Sequence, residues 1–256
     1  MVHMWTWLSW ACCELSMSKR KLVAIHQPNF FPWLGYINKI ARADVFIILD
    51  TVQFPKTGGS WLNRVQLVLD GERKWATMPI NRSYHGVRTI NEMQIADDGR
   101  WREKFLRSIS INYRRAPFFD DVFPSLSELV NRREASLAAF NRAAIMSVLD
   151  RLELERGTII DSSSLHAQGS GTDLLVELVR VVGGTSYLCG GGASGYQEDE
   201  KFAAAGLELV YQDYCHPVYP QAATHEFLAG LSIIDALMNC SWSVTRELLD
   251  QAGTRS

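Results

Sequence analysis

Two apolar runs separated by an amphipathic segment constrain the fold of this chain most strongly. Residues 22–25 (Leu-Val-Ala-Ile) and 45–49 (Val-Phe-Ile-Ile-Leu) are apolar throughout, and residues 33–41 between them have a helical pattern. Continuous apolar runs are typical of strands buried on both faces of a parallel sheet, and a helix is the usual crossover between two such strands. The sequence therefore predicts a βαβ unit at its beginning.

The same alternation returns in the last third of the chain. Strands are predicted at 158–161, 185–189 and 207–211, and helices at 173–182, 198–205 and 227–239. Thr172 is predicted to cap the first of these helices, and Gly183-Gly184 to end it. This part of the chain therefore predicts further strands of the same parallel sheet.

The middle of the chain predicts a hairpin followed by helices. Asp70-Gly71 lies between two strand-like runs, which is a strong hairpin signal, and residues 100–156 are mainly helical in pattern. We expect an α/β fold with a Rossmann-like, mainly parallel sheet and a helical insertion at about residues 100–156. The expected single domain covers residues 21–245, between an N-terminal extension (1–20) and a C-terminal tail (246–256).

Residues 1–16 are apolar and rich in tryptophan, but no Lys or Arg precedes them and the apolar run stops at Glu14. A secretory signal needs that basic start, and a membrane span needs about 20 apolar residues. We therefore expect an extension outside the domain, with Met17 as the start of translation. The net charge of −2 argues against nucleic-acid binding, and five cysteines without a CxxC pair favour reduced thiols. The expectation is a cytoplasmic protein that binds a small molecule and neither nucleic acid nor a membrane.

Polar residues follow the predicted strands, at the sheet edge where open α/β sheets bind ligands. His26 and Gln27 follow the first strand, and Asp50 and Gln53 follow the second. His26 and Asp50 are candidate catalytic bases, although a buried imidazole and a capping carboxylate are alternative roles. The predicted site brings together His26, Gln27, Asp50, Gln53, Asn63, Arg64, Ser163, Gly190 and Tyr196, with Asn29, Trp33, Tyr36 and Gly191 as further substrate-binding residues.

Other motifs give weaker signals. The loop CGGGASGY, residues 189–196, could let backbone amides approach an anion, or could be a simple turn, and it matches neither nucleotide-binding fingerprint. Ser162–Ser164 with His166 lacks the glycines of a nucleophile elbow, and the His and Cys residues have no zinc spacing, so no metal site is predicted. The basic residues of 100–115 are a solvated face, or a site for phosphates or an acidic carrier protein: Arg100, Arg102, Lys104, Arg107, Arg114 and Arg115.

Several segments in order resemble the WbqC-like family of bacterial proteins, which are often encoded in O-antigen and other surface-polysaccharide gene clusters. They are IHQPNFFPWLGYINKI, DVFIILDTVQF, SWLNRVQL, INYRRAPFF, SSSL, TSYLCGGGASGY and LSIIDALMN. The resemblance implies transfer of an acyl or aminoacyl group to a nucleotide-linked amino sugar, with an acyl or aminoacyl carrier protein as a further partner. In this interpretation His26 or Asp50 is the base, and Asn63, Arg64 and the glycine loop hold phosphates or the developing oxyanion.

The start of the chain is also similar to nucleotidyltransferases of the HIGH superfamily. Trp33 and Tyr36 stand near the positions of that superfamily's paired histidines, so a related fold is expected more than the same chemistry. No cofactor is firmly implied, whereas ATP with Mg²⁺ would be required if the HIGH chemistry were kept. A third hypothesis is a non-catalytic protein that binds a sugar or a carrier protein with an aromatic pocket of Phe30, Trp33, Tyr36 and Trp61.

Overall fold

The computed structural model of the chain describes residues 20–57, 60–97, 99–190 and 197–252. The described strands are β1 (Leu22–His26), β2 (Val45–Ile48), β3 (Arg64–Leu69), β4 (Glu72–Thr77), β5 (Thr158–Asp161), β6 (Ser186–Gly190) and β7 (Glu208–Gln212). The described helices are α1 (Leu34–Arg42), α2 (Arg100–Tyr113), α3 (Phe119–Val130), α4 (Leu137–Arg151), α5 (Gly171–Val181), α6 (Asp199–Ala204) and α7 (Ile233–Ala252). Short 3-10 turns lie at Ile90–Glu92 and Ser162–Ser164.

The central sheet is parallel and confirms the predicted α/β, Rossmann-like fold. Its strand order is β5-β2-β1-β6-β7, with Val23 opposite Val45 on one side of β1 and Leu22 opposite Ser186 on the other. β2 is buried along its whole length, as expected of an apolar strand in the middle of such a sheet. The helical segment α2–α4 lies in the connection between β2 and β5.

Helices cover both faces of the sheet because its strands carry apolar side chains on both faces. Val23 and Ile25 of β1 pack in a cluster with α5 and α6, whereas Ala24 packs in the larger cluster with α1, α4 and α7. Successive side chains of a strand point to opposite faces, so one short strand contributes to both clusters. The layers are therefore helix, sheet and helix.

The predicted hairpin is confirmed, and it forms a sheet of its own. β3 and β4 pair antiparallel around Asp70 (φ 54°) and Gly71 (φ 75°), and two consecutive positive φ values are typical of the tight turn that suits twisted strands. The Ser232 N–H donates to the Gln66 carbonyl at 3.0 Å and ties the hairpin to the start of α7. The hairpin strands do not belong to the parallel sheet.

Two predicted helix boundaries were wrong. α7 begins at Ile233 instead of residue 227 because the Ser232 hydroxyl accepts from the Ile234 N–H, and the helix continues to Ala252 past a break at Ser241 (φ 69°). α5 begins at Gly171, so Thr172 lies inside the helix instead of capping it. The Thr172 hydroxyl instead accepts from the Glu198 N–H at 3.2 Å.

The strand order reverses at β1, which leads to β2 on one side and pairs with β6 on the other. In open α/β sheets, the crevice at such a reversal, beyond the carboxyl ends of the strands, is the usual ligand site. Among the described residues, no helix is both long enough and apolar enough to cross a membrane.

Candidate functional site

A cavity of about 690 Å³ lies at this reversal, beyond the carboxyl ends of β1 and β6. Its walls come from the strand ends, from the first turns of α1 and α5, and from the segment after β7. A larger hollow, of about 880 Å³, lies between α2 and α3 and is lined by charged side chains such as Asp97, Arg107 and Arg133. The cavity at the strand ends is the better candidate site because it gathers a half-buried imidazole, a buried amine and aromatic rings.

His26, the last residue of β1, lines the cavity with a neutral imidazole. Burial, together with the positive charge of Lys39, lowers the pKa of His26 to about 4. The Nδ1 atom lies 3.1 Å from the Gln27 carbonyl oxygen, which can only accept, so we assign the ring proton to Nδ1. The Nε2 atom of His26 is therefore the ring nitrogen that can accept a proton.

Tyr36 and Trp33 form one wall of the cavity. The Tyr36 hydroxyl donates to the Gln27 carbonyl at 3.0 Å, and its ring lies edge-on to His26 with centroids 4.7 Å apart. Burial raises the pKa of Tyr36, so its hydroxyl keeps its proton and acts as a donor at neutral pH. The Trp33 ring, at the N-terminal end of α1, lies 5.3 Å from the Tyr214 ring. These rings give the cavity a rigid apolar wall.

Lys39 lines the cavity from α1, although its side chain is almost completely buried, with 3 % of the residue exposed. Its Nζ donates to the Ile25 carbonyl at 3.2 Å, directly beside His26 in β1. Burial lowers the pKa of Lys39 to about 8, so the amine is mainly protonated at pH 7. Lys39 was not among the predicted site residues, and its one sequence signal is a lysine that lies, with Asn38, between the apolar residues Ile37 and Ile40.

An adjoining wall comes from β7 and the residues after it, which were not among the predicted site residues. Gln212 donates from Nε2 to the Gly35 carbonyl at 2.7 Å and to Asn38 Oδ1 at 3.1 Å, so it fixes α1 against β7. The Tyr214 hydroxyl is buried and has no hydrogen-bond partner among the described residues. A buried hydroxyl without a partner is costly, so Tyr214 is a candidate to contact a ligand.

Asp50 lies apart from the cavity lining and is held in hydrogen bonds between β2 and β5. Its carboxylate accepts from the Ser162 hydroxyl at 2.8 Å, the Ser163 N–H at 2.9 Å and the Ser163 hydroxyl at 2.7 Å. These contacts tie together the carboxyl ends of two neighbouring strands. The base role of Asp50 and the substrate contact of Ser163 stay predictions, and the geometry favours His26 as the base.

The structure does not bring Gln53, Asn63 and Arg64 together with His26 at the cavity, because none of the three lines it. Their substrate-binding roles stay predictions. Gln53 is exposed, and its backbone pairs with Thr89. Asn63 donates from Nδ2 to the Met78 carbonyl at 3.0 Å, and the Arg64 guanidinium stacks over Trp75 at 4.1 Å. Asn63 and Arg64 lie at the start of the hairpin. The hairpin strands pair with each other and not with a strand of the parallel sheet.

The remaining predicted residues divide into three groups. Gln27 and Gly190 line the cavity, whereas Asn29 is buried outside its lining. Gly191 and Tyr196 fall in 191–196, outside the described residues. Within the described ranges, no three His, Cys, Asp or Glu side chains are grouped as metal ligands would be.

Two predicted surfaces also differ from expectation. The four-ring pocket was wrong, since Phe30 packs against Phe105 at 5.3 Å in the core and Trp61 packs against Trp75 at 4.7 Å. Arg102 is buried and donates to the Val130 carbonyl at 2.9 Å, so it does not belong to the exposed basic face of α2. Trp33 and Tyr36 therefore provide the predicted rings that line the cavity.

Comparison with known proteins places the chain in a family. The sequence model described as the WbqC-like protein family matches residues 27–247, a span that contains every described cavity residue except Ile25 and His26. A protein of Mycobacterium tuberculosis (strain ATCC 25618 / H37Rv), described as uncharacterized protein Rv1507c, is 26% identical over 220 residues, which cover 86% of this chain and 94% of that protein. No solved structure matches the chain significantly. The chain belongs to the WbqC-like protein family.

Proposed function

We propose that this protein transfers an acyl or aminoacyl group to the amine of a nucleotide-linked amino sugar in surface-polysaccharide biosynthesis. The observation that carries the proposal is the neutral His26 imidazole in the cavity, with Nε2 available to accept a proton. Amine acylation requires a base because the attacking nitrogen must lose a proton as the new bond forms. The resemblance to proteins of polysaccharide gene clusters supplies the substrate class.

The proposed reaction uses a thioester donor from a carrier protein. The amine nitrogen of the sugar attacks the thioester carbonyl carbon, a C–N bond forms, and the C–S bond breaks with its electron pair leaving on sulfur. His26 Nε2 takes the proton that the amine loses and passes it to the leaving thiolate. The products are an amide and a thiol, and the reaction needs no oxidant and no free nucleotide triphosphate.

The walls of the cavity support a sugar as the acceptor. Trp33, Tyr36 and Tyr214 provide ring surfaces, and Gln27 and Gln212 provide polar groups at the strand ends. Such a combination of apolar walls with a few fixed polar groups is typical of small-molecule sites. The buried thiols of Cys189 and Cys240 suit the reducing cytoplasm, where we propose that the protein acts.

An assay with defined substrates tests the proposal. The purified protein is incubated with acyl and aminoacyl pantetheine thioesters and with nucleotide-linked amino sugars, and products are identified by mass spectrometry. We expect an amide product with amino sugars and none with the corresponding hydroxy sugars. Absence of amide across the donor panel, together with calorimetric binding of ATP and Mg²⁺, would instead support the HIGH-type nucleotidyltransferase. Sugar binding with no turnover under any condition would support an accessory protein.

A further inference from the structure

The buried ammonium of Lys39 has no carboxylate counter-ion in the part of the chain that the structure describes. Its Nζ makes one hydrogen bond, to the Ile25 carbonyl, and within the described ranges no carboxylate forms an ion pair with it. An ammonium has three donors, and a buried charge is costly unless it is paired. The Tyr187 ring, with its centroid 5.8 Å from Nζ, offsets this charge only in part and accepts no conventional hydrogen bond. The side chain therefore retains unmet charge and unmet donors in a residue that lines the cavity.

Among the described residues that line the cavity, no carboxylate could neutralise Lys39. The lining consists of apolar, aromatic, amide, hydroxyl and glycine residues together with His26 and Lys39. Asp50, the carboxylate that follows β2, already accepts hydrogen bonds from the Ser162 and Ser163 hydroxyls. The missing negative charge is therefore not provided by the described residues around the cavity.

Other groups that line the cavity would also stabilise a bound anionic oxygen. The buried Tyr214 hydroxyl has no partner among the described residues and can donate. The first turns of α1 and α5 line the same cavity, and neither has a side-chain cap on its N-terminal N–H groups. Helix N-termini carry partial positive charge, so both add to the field of the Lys39 ammonium.

We infer that the cavity binds an anionic oxygen group of its ligand, a carboxylate or a phosphoryl group, on the Lys39 ammonium and the Tyr214 hydroxyl. The inference rests on the proposed function, because it concerns the same cavity. It identifies the part of the substrate that Lys39 binds. A phosphoryl group would belong to the nucleotide diphosphate of the acceptor. A carboxylate would belong to an acidic sugar or an acidic acyl donor.

Binding of simple anions to the full chain tests the inference without any turnover. Pyrophosphate, inorganic phosphate and acetate are titrated calorimetrically in metal-free buffer at pH 7, where Lys39 is mainly protonated. We expect at least one of them to bind the native protein and Lys39→Met to weaken that binding by about 10- to 100-fold. Lys56→Met, which removes an exposed cation outside the cavity lining, is the matched control and should bind as the native protein does.

The pattern of binding distinguishes a phosphoryl group from a carboxylate. It also tests this inference separately from the proposed acyl transfer. Lys39-dependent binding of phosphate or pyrophosphate assigns a phosphoryl group, and Lys39-dependent binding of acetate assigns a carboxylate. Equal binding by the native protein and Lys39→Met, or no binding of any probe to the native protein, overturns the inference. Lys39→Gln and Tyr214→Phe provide the comparison if Lys39→Met does not fold. Because no acyl transfer is measured, failure of the proposed reaction would leave the anion result unchanged.

Discussion

Lys39 and His26 meet at the end of the first strand, where the Lys39 ammonium donates to the carbonyl of Ile25, the residue before His26. The positive charge of Lys39 acts with burial to keep the pKa of His26 at about 4, so the imidazole is neutral at pH 7. An anion that pairs with Lys39 would offset this charge and raise the basicity of His26. Binding of an anionic ligand to Lys39 should therefore make His26 a stronger base.

Replacing Lys39 should change the titration of His26. In Lys39→Met we expect the pKa of His26 to rise from about 4 but to stay below 6.5, because burial, the larger cause, remains. The measurement is a pH titration of the histidine ring protons by NMR, with the signal of His26 identified from its loss in His26→Gln. Lys56→Met should leave the His26 titration as it is in the native protein. An unchanged pKa in Lys39→Met would contradict this effect of Lys39 on His26.

The buried Lys39 should make stability depend on pH in the alkaline range. Between pH 8 and 10.5 the unfolded chain holds a proton on Lys39 that the folded chain has released, so the free energy of unfolding rises with pH across this window. The two pKa values differ by about 2.5, which corresponds to at most about 3 kcal/mol.

Denaturant unfolding at pH 7.5 and pH 10 measures this effect as the difference between the native protein and Lys39→Met. The variant should be the more stable of the two at pH 7.5, because it lacks the buried charge, and the difference should shrink at pH 10. A variant that is less stable than the native protein at pH 7.5 would indicate a structural role for the ammonium.

Gly35 is required for the position of Trp33 in the cavity wall. A Cβ atom on Gly35 would lie 1.9 Å from a ring carbon of Trp33, so Gly35→Ala should displace the ring and lower the free energy of unfolding by about 1–3 kcal/mol. Thermal unfolding and near-ultraviolet circular dichroism measure both effects. Gly190→Ala is the matched control, because a Cβ there meets no atom of the described residues within 4 Å, and the variant should remain as stable as the native protein.

Asp50 should prove to be structural. Asp50→Ala removes the acceptor of three hydrogen bonds from Ser162 and Ser163, and we expect a loss of about 1–3 kcal/mol in the free energy of unfolding with the transfer reaction retained. Asp213→Ala, at an exposed position, is the control and should have native stability. Native stability of Asp50→Ala combined with loss of transfer would return Asp50 to the role of base.

The parallel sheet was predictable because its strands are short apolar runs, and the position of His26 followed from its place after β1. The position of Lys39 was not, because a lysine in an amphipathic helix usually extends to solvent and its burial depends on packing between distant strands. Tyr214 and Gln212 contact the beginning of α1 although they lie about 175 residues further along the chain. A local sequence pattern cannot predict contacts between such distant residues. The distance of Asn63 and Arg64 from the cavity lining was not predictable either, because the hairpin signal does not specify which sheet the hairpin joins.

The most direct test of the account is the effect of His26→Gln on acyl transfer to an amino sugar. Glutamine keeps hydrogen-bonding capacity but cannot take the proton of the attacking amine, so we expect turnover to fall by about 100-fold or more. His225→Gln, at an exposed position outside the cavity, should keep native turnover, and both variants should unfold near the native temperature. Native turnover by a folded His26→Gln protein would contradict the assignment of His26 as the base.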